Sequence, residues 1–220
     1  MSRRVPRTKF CISLDLDETV VSTQEKMNIL FKLKIMSDPH LLELRNRTYT
    51  IGIEDFDAPG AGTTTKMWGV LRPHAKEFIA FCIDYFQTVN VYTAGTQSYA
   101  EPIVDYLFKD LPPPDIIYSR DQVEYNEDGD PIKPIVKIAK ESNGKMTLKN
   151  TFHLDDRRCT CDNNPDNGII ITEYKPQPTV EGLMKEDDAL LKLMDWFMQP
   201  EVINCQDVRT LDKDFIFDDE

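Results

Sequence analysis

Phe10 to Val20 reads FCISLDLDETV. A mostly apolar run, broken at Ser13, ends abruptly in Asp15-Leu16-Asp17. A strand apolar on both faces is the mark of a parallel sheet covered on both sides. Alternate strand positions face the same way, so two carboxylates leave the strand end together. Like charges at that spacing repel unless a cation or a proton compensates them.

The chain on either side of this stretch repeats its pattern. RPHAKEFIAFCIDYF, from Arg72, places Phe78, Phe81 or Cys82, and Tyr85 at helical spacing. Val89 to Tyr92 is strand-like, and SYAEPIVDYLFK after it is helical, with Pro102 tolerable only within the first turn. DIIYS predicts a short strand, YNEDGDPIK a polar turn, IVKIAKES a helix, and Thr151–Leu154 and Gly168–Thr172 two more strands. Leu190, Leu193, Met194 and Phe197 mark a closing amphipathic helix. Between Gln24 and Lys66 no single period dominates. TYTIGIEDF and TKMWGVL around APGAGTTT predict a hairpin there, within an insertion or flap.

Strands alternating with helices predict an α/β fold, a parallel sheet flanked by helices, with ligands outside the carboxyl ends of the strands. Successive strands end at Asp15 and Asp17, at Thr93, and at Asp155 and Asp156, which brings carboxylates and a hydroxyl to one edge. A hard divalent cation with oxygen ligands is the natural compensator for such a cluster, and magnesium suits a site of few carboxylates and retained waters. With the metal present, one aspartate can attack phosphorus while its neighbour, if protonated, gives a proton to the departing alkoxide.

Composition excludes other classes. Lys and Arg number 26 against 38 Asp and Glu, a net charge of −12, which argues against gripping nucleic acid through its phosphates. Arg3, Arg4, Arg7 and Lys9 form a basic N-terminal arm over residues 1–8 and the residue beyond, read as solvated; residues 209–220 read as an acidic tail. Cys11, Cys82, Cys159, Cys161 and Cys205 are odd in number and scattered. They read as reduced thiols of an intracellular protein, nuclear or cytoplasmic. No signal peptide and no apolar stretch of about 18 residues is present, so no membrane partner is expected. His40, His74 and His153 fit no ligand spacing, Trp68 and Tyr92 read as core, and Arg157 and Arg158 suit either a surface pair or a second substrate phosphate.

LDLDETVVS, LRPHAKEFIAF, VYTAGTQSYAEPIVDYL, IIYSRDQ and FHLDDR, in that order, resemble the successive motifs of the RNA polymerase II C-terminal-domain phosphatases. These are the Asp-x-Asp-x-(Thr or Val) branch of the haloacid dehalogenase superfamily. The resemblance runs over about residues 9–208, implying one catalytic domain of haloacid-dehalogenase-like, Rossmannoid architecture. It would carry a moderate insertion after the first strand, at about 24–66, and a small β insertion before the third motif. It implies Asp15 as nucleophile and Asp17 as general acid and then base, with the Asp17 carbonyl on Mg2+. It further implies Thr93 as the phosphoryl-binding hydroxyl, Asp156 as completing the metal site, and Asp155 beside it. The family's lysine should fall between Ser119 and Asp155. Lys137 best fits the apolar-then-lysine context and Lys140 fits the spacing of shorter relatives, while Lys133, Lys145 and Lys149 read as solvated surface.

The activity so implied is that of a magnesium-dependent protein serine/threonine phosphatase. Its partner would be a phosphorylated peptide such as the RNA polymerase II C-terminal domain, with no direct nucleic-acid contact. Another phosphoprotein, a small phosphate ester, or a silent binding module are the alternatives.

Overall fold

Why the first strand is apolar throughout becomes clear from its position. A computed structural model describes residues 7–54, 56, 60 and 62–218. In chain order its strands and helices begin with β1 (Cys11–Leu14), β2 (Val21–Gln24), α1 (Met27–Leu33), α2 (Leu42–Arg47), β3 (Thr48–Glu54) and β4 (Thr64–Leu71). There follow α3 (Ala75–Tyr85), β5 (Thr88–Tyr92), α4 (Gln97–Leu107), β6 (Ile116–Tyr118), β7 (Glu124–Tyr125), β8 (Pro131–Ile132) and α5 (Ile135–Glu141). The chain continues with β9 (Thr151–Asp155), β10 (Gly168–Ile170), α6 (Val180–Leu183), α7 (Ala189–Phe197) and α8 (Pro200–Ile203). Five strands form a parallel sheet in the order β10-β9-β1-β5-β6, and every residue of the central β1 is buried.

The two faces of this sheet differ. Ile12 and Leu14, with Val89, Val91, Phe152 and Leu154, join the larger core against α3, α4 and α7. Phe86, Phe152, Trp196 and Phe197 pack there edge to face, with centroids 5.0–5.9 Å apart. Each such ring withdrawn from water contributes about 1.5–3 kcal/mol, set against the entropy lost on ordering it. The opposite face carries Cys11, Ser13, Thr151 and His153, with Tyr92, Ile138 and Met146 closing over part of it. Asp15 and Asp155 continue that second row at the carboxyl edge.

The expected hairpin is β3 and β4, paired antiparallel from Thr48↔Val70 to Glu54↔Thr64. Its turn falls partly outside the described residues, as do Arg3 and Arg4 of the arm and Asp219 and Glu220 of the tail. β2 adds to β4 and makes a second sheet, β2-β4-β3, over a separate apolar cluster of Leu30, Ile35, Leu41, Leu44, Trp68 and Val70. Trp68 and Tyr92 are fully buried.

One expectation is corrected. Pro102 stands inside α4, beyond its first turn. The carbonyl it leaves unbonded four residues earlier belongs to Ser98, which is exposed and so can be met by water. Among the described residues no helix is long and apolar enough to cross a membrane. None of the five cysteines forms a disulfide.

Candidate active site

The parallel register sets the site. Leu14 pairs with Val91 on one side and Leu154 on the other, so Asp15, Thr93 and Asp155 emerge together at the carboxyl edge. The Asp15 backbone N–H still donates to the Leu154 carbonyl at 2.9 Å, which carries the sheet pairing one residue beyond β1. Beyond it the chain turns sharply: Glu18 has a positive φ of 60°, and Val20 and Val21 both donate to the Leu16 carbonyl. Arg72, 1 % exposed, braces this turn from beneath. Its Nη1 donates to the Thr19 and Thr172 carbonyls, and it makes a two-point pair with Asp187 at 2.8 and 2.9 Å.

Asp15 is 5 % exposed, and both its oxygens are held. Lys133 Nζ donates to Oδ1 at 2.5 Å and to Asp155 Oδ2 at 2.7 Å, and the Thr19 hydroxyl donates to Asp15 Oδ2 at 3.1 Å. Thr19 Oγ1 also lies 3.3 Å from Asp156 Oδ1 and accepts the Asp156 N–H at 3.1 Å. Carboxylate oxygens of Asp15, Asp155 and Asp156 lie within 4.8 Å of one another, a set that could hold a metal ion. Asp17 accepts from the Tyr99 hydroxyl.

The reading of Lys133 as solvated surface is corrected. Lys133, read as solvated, is 3 % exposed and bridges two carboxylates. Lys137 instead donates to the Gln122 carbonyl at 2.7 Å and pairs with Glu124 at 3.3 Å, and Lys140 is exposed on α5. The reason is backbone geometry. A residue before proline is kept out of the helical region, so Lys133, ahead of Pro134, continues the extended β8 towards the sheet edge. Its N–H is fixed to the Thr160 carbonyl at 2.9 Å. Lys137 and Lys140 ride the helix that begins after it.

Burial pushes the Asp15 carboxyl up to about 8, against the pull of Lys133. Burial likewise raises Asp17, and with the charge of Asp155 raises Asp156 to about 6. For Asp155 burial works upward too, but the Lys133 ammonium outweighs it and holds the carboxyl below its ordinary range. Burial lowers His153, whose Nε2 is 3.4 Å from Asp155 Oδ2, so this imidazole is neutral strand filling.

These directions set a stability profile for the metal-free protein. A carboxyl raised by folding keeps its proton where the unfolded chain has lost it, so the Asp15 contribution to stability falls as pH rises from about 4 to about 8, while the lowered His153 adds the opposite slope below 6.5. The lowered Asp155 acts only below its ordinary value of 3.8, and the raised Lys133 only above 10.5, so neither masks that window. Asp15→Asn is therefore expected to raise the metal-free Tm near pH 7.5, on the order of 2–4 °C for each 1 kcal/mol relieved. The gain should shrink towards pH 4.5, as thermal melts at the two pH values would show.

Thr93 is buried at the end of β5, its Oγ1 accepting the Gly95 N–H at 3.0 Å. Arg157 and Arg158 are exposed, and Arg157 pairs with Asp130 at 3.2 Å. Sequence reading passed over Thr19, Lys133 and Tyr99. Thr19 stands four residues after Asp15 within the motif itself, whereas nothing local announces Tyr99.

The model of the NLI interacting factor-like phosphatases matches residues 10–209, from the start of β1 past α8. The chain belongs to the NLI interacting factor-like phosphatase family. Among solved structures, a beryllium-fluoride-bound variant of the fission yeast RNA polymerase II CTD phosphatase Fcp1 superposes with a TM-score of 0.59 at 15% identity. That match covers 86% of this chain and 50% of the other. A second structure, of Fcp1 as an essential RNA polymerase II CTD phosphatase, gives 0.58 at 15% identity, covering 94% and 59%. The chain thus spans about half to three fifths of the length of these relatives. The likeness is one of fold. No curated protein sequence matches the chain significantly.

Proposed function

We propose that this family member is a magnesium-dependent protein serine/threonine phosphatase that works through an aspartyl-phosphate on Asp15. The observation that carries the reading is Asp15 itself, buried at the end of the central strand and held between Lys133 and Thr19 beside Asp155 and Asp156. Three clustered carboxylates, Asp15, Asp155 and Asp156, set against the one Lys133 ammonium, leave an excess of negative charge that a hard divalent cation neutralises. Asp15, Asp156, the Asp17 carbonyl and, through waters, Asp155 would hold it, and when bound it supplies charge neutralisation for the phosphoryl oxygens.

The protein's own groups account for the rest. A carboxylate oxygen of Asp15 forms a bond to phosphorus as the bond to the leaving oxygen breaks, and Asp17 gives that oxygen its proton. Asp17 then takes a proton from water as it attacks the aspartyl-phosphate, releasing phosphate and restoring Asp15. Lys133 neutralises charge spread over the phosphoryl oxygens. Thr93 accepts from Gly95 and so has its own O–H proton to donate to them. The fold relatives named as RNA polymerase II CTD phosphatases, one of them binding a phosphoryl mimic, support an extended phosphopeptide as substrate.

The test is phosphate release from a serine-phosphorylated heptad-repeat peptide and from an aryl phosphate, each with magnesium and with excess EDTA. Release from both is expected, and chelation should abolish both. Release from the aryl phosphate alone would remove the peptide from the proposal and leave the chemistry; no release from either would overturn it.

A further inference from the structure

Asp17 is not a loose carboxyl at the mouth of the site. It accepts from the Tyr99 hydroxyl in the first turn of α4, Tyr99 Oη lies 2.5 Å from Thr23 Oγ1 on β2, and Thr23 Oγ1 lies 2.7 Å from Tyr49 Oη on β3. Direction follows from chemistry. Tyr99 gives its one O–H proton to Asp17 Oδ1, so it accepts from Thr23, and Thr23 in turn accepts from Tyr49.

The surrounding backbone is shaped to hold the two rings. A Cβ on Gly95 would come within 2.6 Å of Tyr99 Cδ1. On Gly69, which pairs with Tyr49 across β3 and β4, a Cβ would meet the Tyr49 hydroxyl end at 2.4 Å and the Ser22 carbonyl at 2.7 Å. Neither glycine has a positive φ, so space for the rings, and not backbone conformation, requires them.

We infer that the chain Tyr49–Thr23–Tyr99 is a positioning device for phosphoryl transfer, with Tyr99 its contact residue, fixing Asp17 Oδ1 as an acceptor so that the exchanged proton is carried on Oδ2. The inference rests on the reading of Asp17 as general acid. Tyr49 and the strand that carries it lie in the segment between the catalytic motifs, so this segment orients the acid as well as covering an apolar cluster. A misaimed acid matters in proportion to how badly the leaving oxygen needs a proton. Alkoxides from serine-like phosphates need it, nitrophenolate hardly does.

The experiment is kcat/KM across a series of aryl and alkyl phosphates of rising leaving-group basicity, in magnesium. Tyr99→Phe is expected to lose about 30-fold or more on the alkyl esters and only a few-fold on p-nitrophenyl phosphate, steepening the dependence. Tyr49→Phe should steepen it in the same sense by less, and Thr23→Ser should restore the slope that Thr23→Val loses. Losses equal across the series, or none, in Tyr99→Phe and Tyr49→Phe would overturn the inference. If Tyr99→Phe does not fold, Tyr49→Phe and the Thr23 pair decide. Asp17→Asn is the control: if it steepens the series while the hydroxyl variants do not, the positioning chain alone falls, and if it leaves the series unchanged, the acid reading falls with it.

Discussion

Asp15→Asn is expected to abolish phosphate release, lowering kcat by about 10⁴-fold or more with little change in KM. Asparagine has the size of aspartate and keeps an oxygen for Lys133, so the pocket retains its shape. The amide cannot attack phosphorus, and the covalent step is lost outright. Lys133, Thr93 and Asp156 remain to hold the substrate and the proposed cation, for which the asparagine oxygen is still a ligand. Because the same change should raise the metal-free Tm at neutral pH, loss of activity and gain of stability would appear in one variant. A misfolded protein would show neither a higher Tm nor retained substrate binding. An asparagine variant that still turned over appreciably, free of deamidation by mass spectrometry, would exclude Asp15 as nucleophile.

Lys133→Met is the second large effect, expected to lower kcat by about 10²–10³-fold on both peptide and aryl substrates. Methionine keeps the length of the side chain and removes its charge. Two losses combine: the ammonium no longer offsets phosphoryl charge, and Asp15 and Asp155, which it bridges at 2.5 and 2.7 Å, face each other uncompensated. Breaking a buried pair by removing one partner costs about 3–5 kcal/mol, so melts should be run with and without magnesium to separate stability from rate. Lys137→Met and Lys140→Met should stay within about twofold of wild type, since the first contacts Gln122 and Glu124 and the second is exposed on α5. Activity lost in Lys137→Met and kept in Lys133→Met would reverse the assignment.

How far the sequence could be read follows from these same residues. Strands that end in Asp15, Thr93 and Asp155 announce a shared edge, because a parallel sheet puts all its carboxyl ends together. The helices α3 and α7 were legible because each buries one stripe. Lys133 was not, because a lysine beside Asp128 and Asp130 in a polar turn has the local composition of solvated surface. What buries it is the β7–β8 hairpin and the Thr160 carbonyl, contacts that no short window contains. The link from Tyr99 to Asp17 spans 82 positions, and the four-residue β2 that supplies Thr23 is too short and too polar to show a period. Pro102 misled for a different reason: its cost in a helix depends on whether one carbonyl can reach water.

The central position of β1 has a consequence for how the molecule is made. A ribosome delivers Cys11–Leu14 before either neighbour, since β5 is reached at Thr88 and β9 at Thr151. Until then a mostly apolar strand waits with both edges unpaired, the state in which nascent chains aggregate or recruit chaperones. The carboxylates at its end become a site last of all, when β9 closes beside it and Asp187 arrives to seat Arg72 beneath the Thr19 turn. Synthesis therefore separates the appearance of Asp15 from the appearance of its pocket, which stays incomplete until β9 and Asp187 have been translated.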